Sequence, residues 1–97
     1  MNLGEIVGFD WDEGNILKNW EKHKVKHTEA EEIFGNEPRF IFEDIKHSAK
    51  EKRYLILGKT NLGRRLAVFF TLRENKIRVI SCRDMSRKER MTYEQGT

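Results

Sequence analysis

The sequence predicts an α+β fold: a mostly antiparallel sheet of four to five strands, with two helices ahead of it and one behind. Three observations predict it. Apolar residues recur at helical spacing before Pro38 and at period two after residue 52. Two short turn segments, Asn61-Leu62-Gly63 and Glu74-Asn75, join the strongest period-two runs, so the strands they connect pair antiparallel. Two patterns of Ser or Thr followed three residues later by Glu, Thr28 with Glu31 and Ser86 with Glu89, mark helix starts. The 97 residues are read as one domain, 1–97, because a chain of this length has no room for a second core.

Each element follows from its residues. The apolar-aromatic run 6–11 predicts a first strand. Asp12 suits an N-cap, and the helix after it runs to about residue 22, with Ile16, Leu17 and Trp20 as its apolar stripe. The basic stretch 22–26 contains a turn. Thr28 opens a second helix carrying Ala30, Ile33 and Phe34, and Gly35 ends it. Pro38 lies in a turn that divides an acidic first part from a basic second part. Strands follow at 39–44, 53–60, 64–73 and 76–83. In the third of these, Leu66, Val68, Phe70 and Leu72 share one face while Ala67 and Phe69 occupy the other, which marks a central strand buried from both sides. In the last, Ile77 and Val79 alternate against Arg78, Ile80 and Cys82. Ser86 caps a final helix through Tyr93. The order is β-α-α-β-β-β-β-α, with the helices expected on one face of the sheet.

Composition excludes several classes. One cysteine, Cys82, rules out an internal disulfide framework and a Cys-rich zinc site. No apolar run approaches the roughly 18 residues of a membrane span, and the acid at Glu5 speaks against a signal peptide. The expectation is a soluble protein of a reducing, cytoplasmic compartment. There is no Gly-rich phosphate loop.

The formal charge of +3 hides an asymmetry. Residues 1–48 carry a net of −5 and residues 49–97 a net of +8, and eight of the nine arginines lie after residue 50. The guanidinium fork matches phosphate oxygens, so this skew points to a polyanion or an acidic protein partner. Strand edges also use Lys and Arg to discourage aggregation. Arg53 opens a strand, Arg64 and Arg65 adjoin a hairpin turn, Arg73 closes a strand, Arg78 lies within the last strand and Arg83 at its end. Arg78 interrupts an apolar stretch, where it needs either an ion pair, with Glu51 or Glu89, or a role in chemistry.

His23 and His27 stand four residues apart, but the turn expected between them and the lack of a third ligand argue against a metal site. His23 or His47 could act as a general base. Cys82 lacks an evident base partner and reads as a small buried residue. Tyr93, beside Arg87, Lys88 and Arg90, could stack a base, donate a proton or pack against the sheet.

Together these motifs resemble the BrnT family of small bacterial toxins, over about residues 8–94. Phe9-Asp10-Trp11-Asp12, Asn19 and Lys22-His23 resemble the family's opening, and the segment 28–34 its next helix. Glu51-Lys52-Arg53-Tyr54 with Gly58, then Gly63-Arg64 and Phe70-Thr71-Leu72-Arg73, resemble its hairpin. Arg78 to Arg83, Glu89 and Tyr93 complete the pattern. The sequence departs from it at Lys24, where a glycine is expected, at Glu13-Gly14 and at Cys82. The resemblance implies a RelE-like fold and a ribonuclease toxin that cuts RNA by 2′-hydroxyl attack without a metal or other cofactor. It implies neutralisation by a BrnA-like ribbon-helix-helix antitoxin, promoter DNA bound through that antitoxin, and a toxin dimer within the complex. A non-catalytic RNA-binding or antitoxin-docking module is the alternative. On the ribonuclease reading, Arg53, Arg78 and Arg83 bind phosphate and stabilise the transition state. Glu51, His23 and Tyr93 are the proton-transfer candidates. Arg64, Arg73, Lys52 and Arg87 extend the RNA-binding surface.

Overall fold

The computed structural model describes residues 3–47 and 49–96. A 3-10 turn at Leu3–Glu5 precedes β1 (Gly8–Phe9), α1 (Glu13–His23) and α2 (His27–Gly35). Then come β2 (Phe40–Glu43), a 3-10 turn at Ile45–His47, β3 (Arg53–Lys59), β4 (Arg65–Arg73), β5 (Lys76–Asp84) and α3 (Arg87–Gln95). The strands form one sheet in the order β1-β5-β4-β3-β2. The expected α+β order is observed, and β4 is the central strand.

The sheet is mixed. β2 to β5 pair antiparallel; short turns join β3 to β4 and β4 to β5, and Glu74 and Asn75 both take the positive φ that such a turn needs. β1 instead runs parallel to β5, with Gly8 opposite Lys76 and Phe9 opposite Ile77. It is shorter than the 6–11 run suggested. After Asp10 donates to the Ile77 carbonyl, the chain leaves the ladder. The Trp11 indole N–H then donates to Glu31 of α2 at 2.8 Å, and Asp12 caps α1 by accepting from the Gly14 N–H.

That short β1 explains how α1 sits. Beyond Ile77 the outer edge of β5 has no second strand, and its backbone groups need other partners. The Asn15 amide donates to the Val79 carbonyl, and the Asn19 side-chain oxygen accepts from the Cys82 N–H, each at 3.3 Å. α1 therefore turns its asparagines to the sheet. Asn19 is buried with its amide nitrogen unpartnered, whereas Leu17 and Trp20, expected on the buried stripe, are 56% and 42% exposed.

β5 also breaks its own period. Phe69 pairs with Ser81 and Phe70 with Val79, which leaves Ile80 as the extra residue of a bulge. The bulge returns Cys82 to the face of Ile77 and Val79, where strict alternation had placed it opposite them. All three are buried.

Both sheet faces carry helices, not one. Val25, Ala30 and Ile33 pack with Ile56, Val68 and Phe70 on the α1–α2 side. On the other side Met85 and Tyr93 pack with Leu57, Ala67 and Phe40. Ser86 caps α3 through the expected box with Glu89. α2 differs from expectation. It begins two residues earlier than Thr28 implies, because Glu29 accepts from the Lys26 N–H at 3.0 Å and takes the box role, while Glu31 is committed to Trp11. Gly58 lets α2 lie close to β3, since a Cβ there would stand 3.0 Å from the Ile33 Cβ.

Lys24 ends α1 at φ 54°, the left-handed conformation a glycine adopts more easily. What holds it is Arg64. Its guanidinium donates to the His23 and Lys24 carbonyls at 3.2 and 2.8 Å. It meets both Asp84 oxygens at 2.8 and 3.1 Å, and Glu29 at 3.4 Å. One side chain thus joins the end of α1, the start of α2 and the end of β5. Arg64→Ala removes the partner of two helix-end carbonyls and of two carboxylates, Glu29 and Asp84. It is expected to cost about 2–3 kcal/mol, read as a lower urea midpoint with unchanged slope.

Candidate functional site

α3 covers only one end of its sheet face. Toward the other end that face stays open, and the register places the arginines on it. Arg53, Thr71 and Arg78 stand in one row across β3, β4 and β5. The next row is Phe42, Leu55, Phe69 and Ser81, and the one after it includes Ala67 and Arg83. Alternation along each strand puts all of them opposite the α1–α2 core. Arg83 leans down over the Phe69 ring at 5.5 Å from its centre. Arg73 lies one step beyond Thr71 on β4, on the same face. Strand spacing sets the Arg53 and Arg78 backbones about 10 Å apart, close enough for two long side chains to converge on one phosphodiester.

Thr71 sits beneath this row, buried, with its hydroxyl donating to the Lys52 carbonyl at 2.8 Å. Phe42 is 43% exposed at the β2 edge. The surface therefore combines guanidinium groups with two phenylalanines, Phe42 and Phe69, and guanidinium with aromatic rings is the pairing that proteins use for the phosphates and bases of single-stranded nucleic acid.

Three of the arginines are held by acids. Arg83 makes a two-pronged pair with Glu89 at 2.6 and 3.0 Å. This bond raises the Arg83 guanidinium above its ordinary value. Burial pushes the Glu89 carboxyl up, but Arg83 together with the Ser86 N–H and hydroxyl outweighs it and holds the group below the usual range. Arg78 pairs with Asp10 at 3.3 Å and Asp12 at 3.8 Å. The expected partners, Glu51 and Glu89, are taken by Arg73 at 3.5 Å and by Arg83. β1 brings Asp10 and Asp12 beside β5, a contact that spacing in the chain does not reveal.

Beside Arg53 a cleft of about 500 Å³ is lined by His47, Ala49, Lys50, Glu51 and Arg53. At its rim His47 Nδ1 lies 3.0 and 3.2 Å from the two Asp44 oxygens. The Asp44-x-x-His47 spacing was visible in the sequence; its position beside Arg53 comes from the β2–β3 pairing.

The structure thus gathers Arg53, Arg78, Arg83, Arg73, Glu51 and Lys52 on or around one face. It does not bring the other candidates there. His23 ends α1 on the α1–α2 side of the sheet near Asp84, its carbonyl bonded to Arg64. Arg64 spends its donors inside the fold. Its bond to Asp84 raises the guanidinium above its usual value and lowers the Asp84 carboxyl below its own. Tyr93 is buried, its hydroxyl donates to the Pro38 carbonyl at 2.8 Å, and burial pushes that hydroxyl up. It packs against the sheet instead of offering a proton. Arg87 opens α3, exposed. His23 and His27 fall on separate helices. Among the described residues no three His, Cys, Asp or Glu side chains converge as a metal-holding group, and no helix is long and apolar enough to cross a membrane.

Comparison with known proteins places these features in context. The family model described as the ribonuclease toxin BrnT of type II toxin–antitoxin systems matches residues 11–89. Among solved structures, the Brucella abortus ribonuclease toxin BrnT superposes with a TM-score of 0.62 at 24% identity, over 82% of this chain and 97% of that one. That likeness is one of fold. No curated protein sequence matches the chain.

Two expectations follow from the geometry. Cys82 is buried, and desolvation pushes its thiol up to about 11, so it stays a thiol at neutral pH. A thiol reagent is expected to label native protein at pH 8 only at the rate of global opening, and unfolded protein at once. Asp84 and Glu89 both titrate lower in the folded state than unfolded, so their contribution is complete above the unfolded carboxylate range near pH 4. It is lost as pH falls through the folded values. Urea midpoints are expected to hold steady from pH 7 to 5 and to drop below about pH 4. The Arg64→Ala protein should lose less over that lower interval.

Proposed function

The chain belongs to the BrnT family of ribonuclease toxins of type II toxin–antitoxin systems, and from that premise we propose that its open arginine face binds and cuts RNA by internal attack of the 2′-hydroxyl. The observation that carries this reading is the Arg53–Thr71–Arg78 row with Arg83 above it and Arg73 below. Internal attack places extra negative charge on the phosphorus oxygens as the pentavalent state forms. Preset guanidiniums stabilise that charge without needing to reorganise. Positioning, proton transfer and charge stabilisation together suffice, so no metal enters the proposal.

The same reading includes a cognate antitoxin of the ribbon-helix-helix, BrnA-like kind, with promoter DNA bound through it and two toxin copies in the complex. An acidic antitoxin segment over the arginine face would account for neutralisation. The toxin acts in the cytoplasm, as one domain over 1–97.

One observation favours a second reading. Arg73, Arg78 and Arg83 already have acid partners, which suits a surface that docks a protein or holds RNA without cutting it.

The test uses protein freed of antitoxin, incubated with RNA alone and with ribosomes, with and without EDTA. Cleavage is expected in at least one arm, unaffected by EDTA, yielding 2′,3′-cyclic phosphate ends. Arg53→Ala and Arg78→Ala are each expected to slow it about 100-fold, the usual loss when one oxyanion stabiliser is removed. Intact RNA in every arm, with salt-sensitive RNA binding retained, would favour the binding module instead.

A further inference from the structure

Attack by a 2′-hydroxyl needs a group that takes the hydroxyl proton. Arginine cannot serve, because it stays protonated. The histidine that the sequence favoured, His23, ends α1 beside Arg64 and Asp84, away from the Arg53–Thr71–Arg78 row. A different histidine stands beside the arginines. His47 closes the 3-10 turn after β2, with Nδ1 facing both oxygens of Asp44 at 3.0 and 3.2 Å. The Asp44 side chain is 16% exposed and that of His47 58%, so the inner partner is enclosed and the imidazole opens outward. Asp44 is anchored in turn, its backbone N–H donating to the Arg53 carbonyl at 2.7 Å. A carboxylate at Nδ1 keeps the ring proton on that nitrogen and leaves Nε2 as an acceptor. His47, Lys50, Glu51 and Arg53 line the same cleft of about 500 Å³, and Arg53 is also the first residue of the arginine row.

We propose that His47, oriented by Asp44, is the general base of the RNA cleavage, with the scissile phosphate at Arg53. This rests on the ribonuclease reading above. Nε2 takes the 2′-hydroxyl proton as the O2′–P bond forms. The P–O5′ bond breaks, and the departing oxygen takes a proton from solvent. The products are a 2′,3′-cyclic phosphate and a 5′-hydroxyl, and no further reactant is needed. Asp44 is a positioning residue. The charged groups around the imidazole are Asp44 and Lys46 on its own side, and Lys50, Glu51 and Arg53 from the cleft and β3.

The experiment measures cleavage of a labelled oligoribonucleotide across pH, under conditions in which the wild type cuts. Alongside it, binding of a 2′-O-methyl analogue that cannot react is measured. His47→Ala is expected to lower the rate about 100-fold or more while binding the analogue as the wild type does. The fall in rate on the acid side of the wild-type profile should vanish in the variant, and added imidazole should restore part of the rate. Asp44→Asn is expected to retain cleavage, reduced about tenfold, with a displaced acid limb. His47→Gln gives the same readouts should the alanine variant fold poorly. A folded His47 variant that cuts at the wild-type rate overturns the proposal and leaves the ribonuclease reading standing. A loss that imidazole does not restore, with analogue binding weakened in parallel, makes His47 an RNA contact and overturns its role as base. Wild-type protein that binds RNA and never cuts it overturns both readings.

Discussion

The Arg64 guanidinium joins the acidic and basic halves of this chain. α1 ends at His23 and α2 starts at His27, so the connection has three residues and must reverse without a glycine. Lys24 takes a left-handed conformation there, and the last carbonyls of α1 would be left without donors. Arg64, just ahead of β4, supplies those donors and holds Glu29 and Asp84 at the same time. That one side chain thereby ties the α1–α2 junction to the end of β5.

The site depends on a second constraint, the unpaired outer edge of β5. Asn15 and Asn19 complete that edge from α1, which fixes the helix against β5 and leaves Leu17 and Trp20 outside. The bulge at Ile80 then shifts the phase of the strand between Arg78 and Arg83. With it, an odd sequence separation still brings the two arginines to one face. Strict alternation over five residues would send them to opposite faces. The open surface thus arises from a local irregularity in β5 combined with a short β1.

Much of the fold was legible in the sequence. The order of elements, the antiparallel hairpins, the central position of β4 and the Ser86–Glu89 cap each rest on local signals, and local signals survive folding. What was not legible depended on distant partners. The parallel β1–β5 pair joins residues nearly seventy positions apart. The Ile80 bulge leaves no mark in hydropathy. The α2 cap falls at Lys26 because Glu31 is claimed by Trp11, a competitor from another element. The site divides the same way. Period two alone separates Arg78 from Arg83, because the Ile80 bulge is what returns them to one face, and residue type alone could not separate Arg64, whose donors point inward, from Arg53, whose strand presents it to the open face. His23 and His47 were equal as letters. Only the β2–β3 pairing set one of them beside Arg53.

The charge asymmetry takes on a different meaning once the chain is folded. Read linearly, a half at −5 and a half at +8 suggest that the whole basic excess awaits a polyanion. In the fold the halves partly neutralise each other: Asp10 and Asp12 reach Arg78, and Glu29 reaches Arg64. Within the basic half, Glu51 and Glu89 do the same for Arg73 and Arg83. These acids keep the guanidiniums oriented in the absence of ligand, because a fork held by a carboxylate is already set for a phosphate oxygen. They also oppose binding, since an incoming phosphate must share or displace them. The net gain per arginine is therefore smaller than a count of positive charges implies. A substrate held by several of the arginines at once is favoured over one that meets a single site. On the proposed ribonuclease reading, a row of three strands with arginines at its two ends suits an extended polyanion better than a small free phosphate.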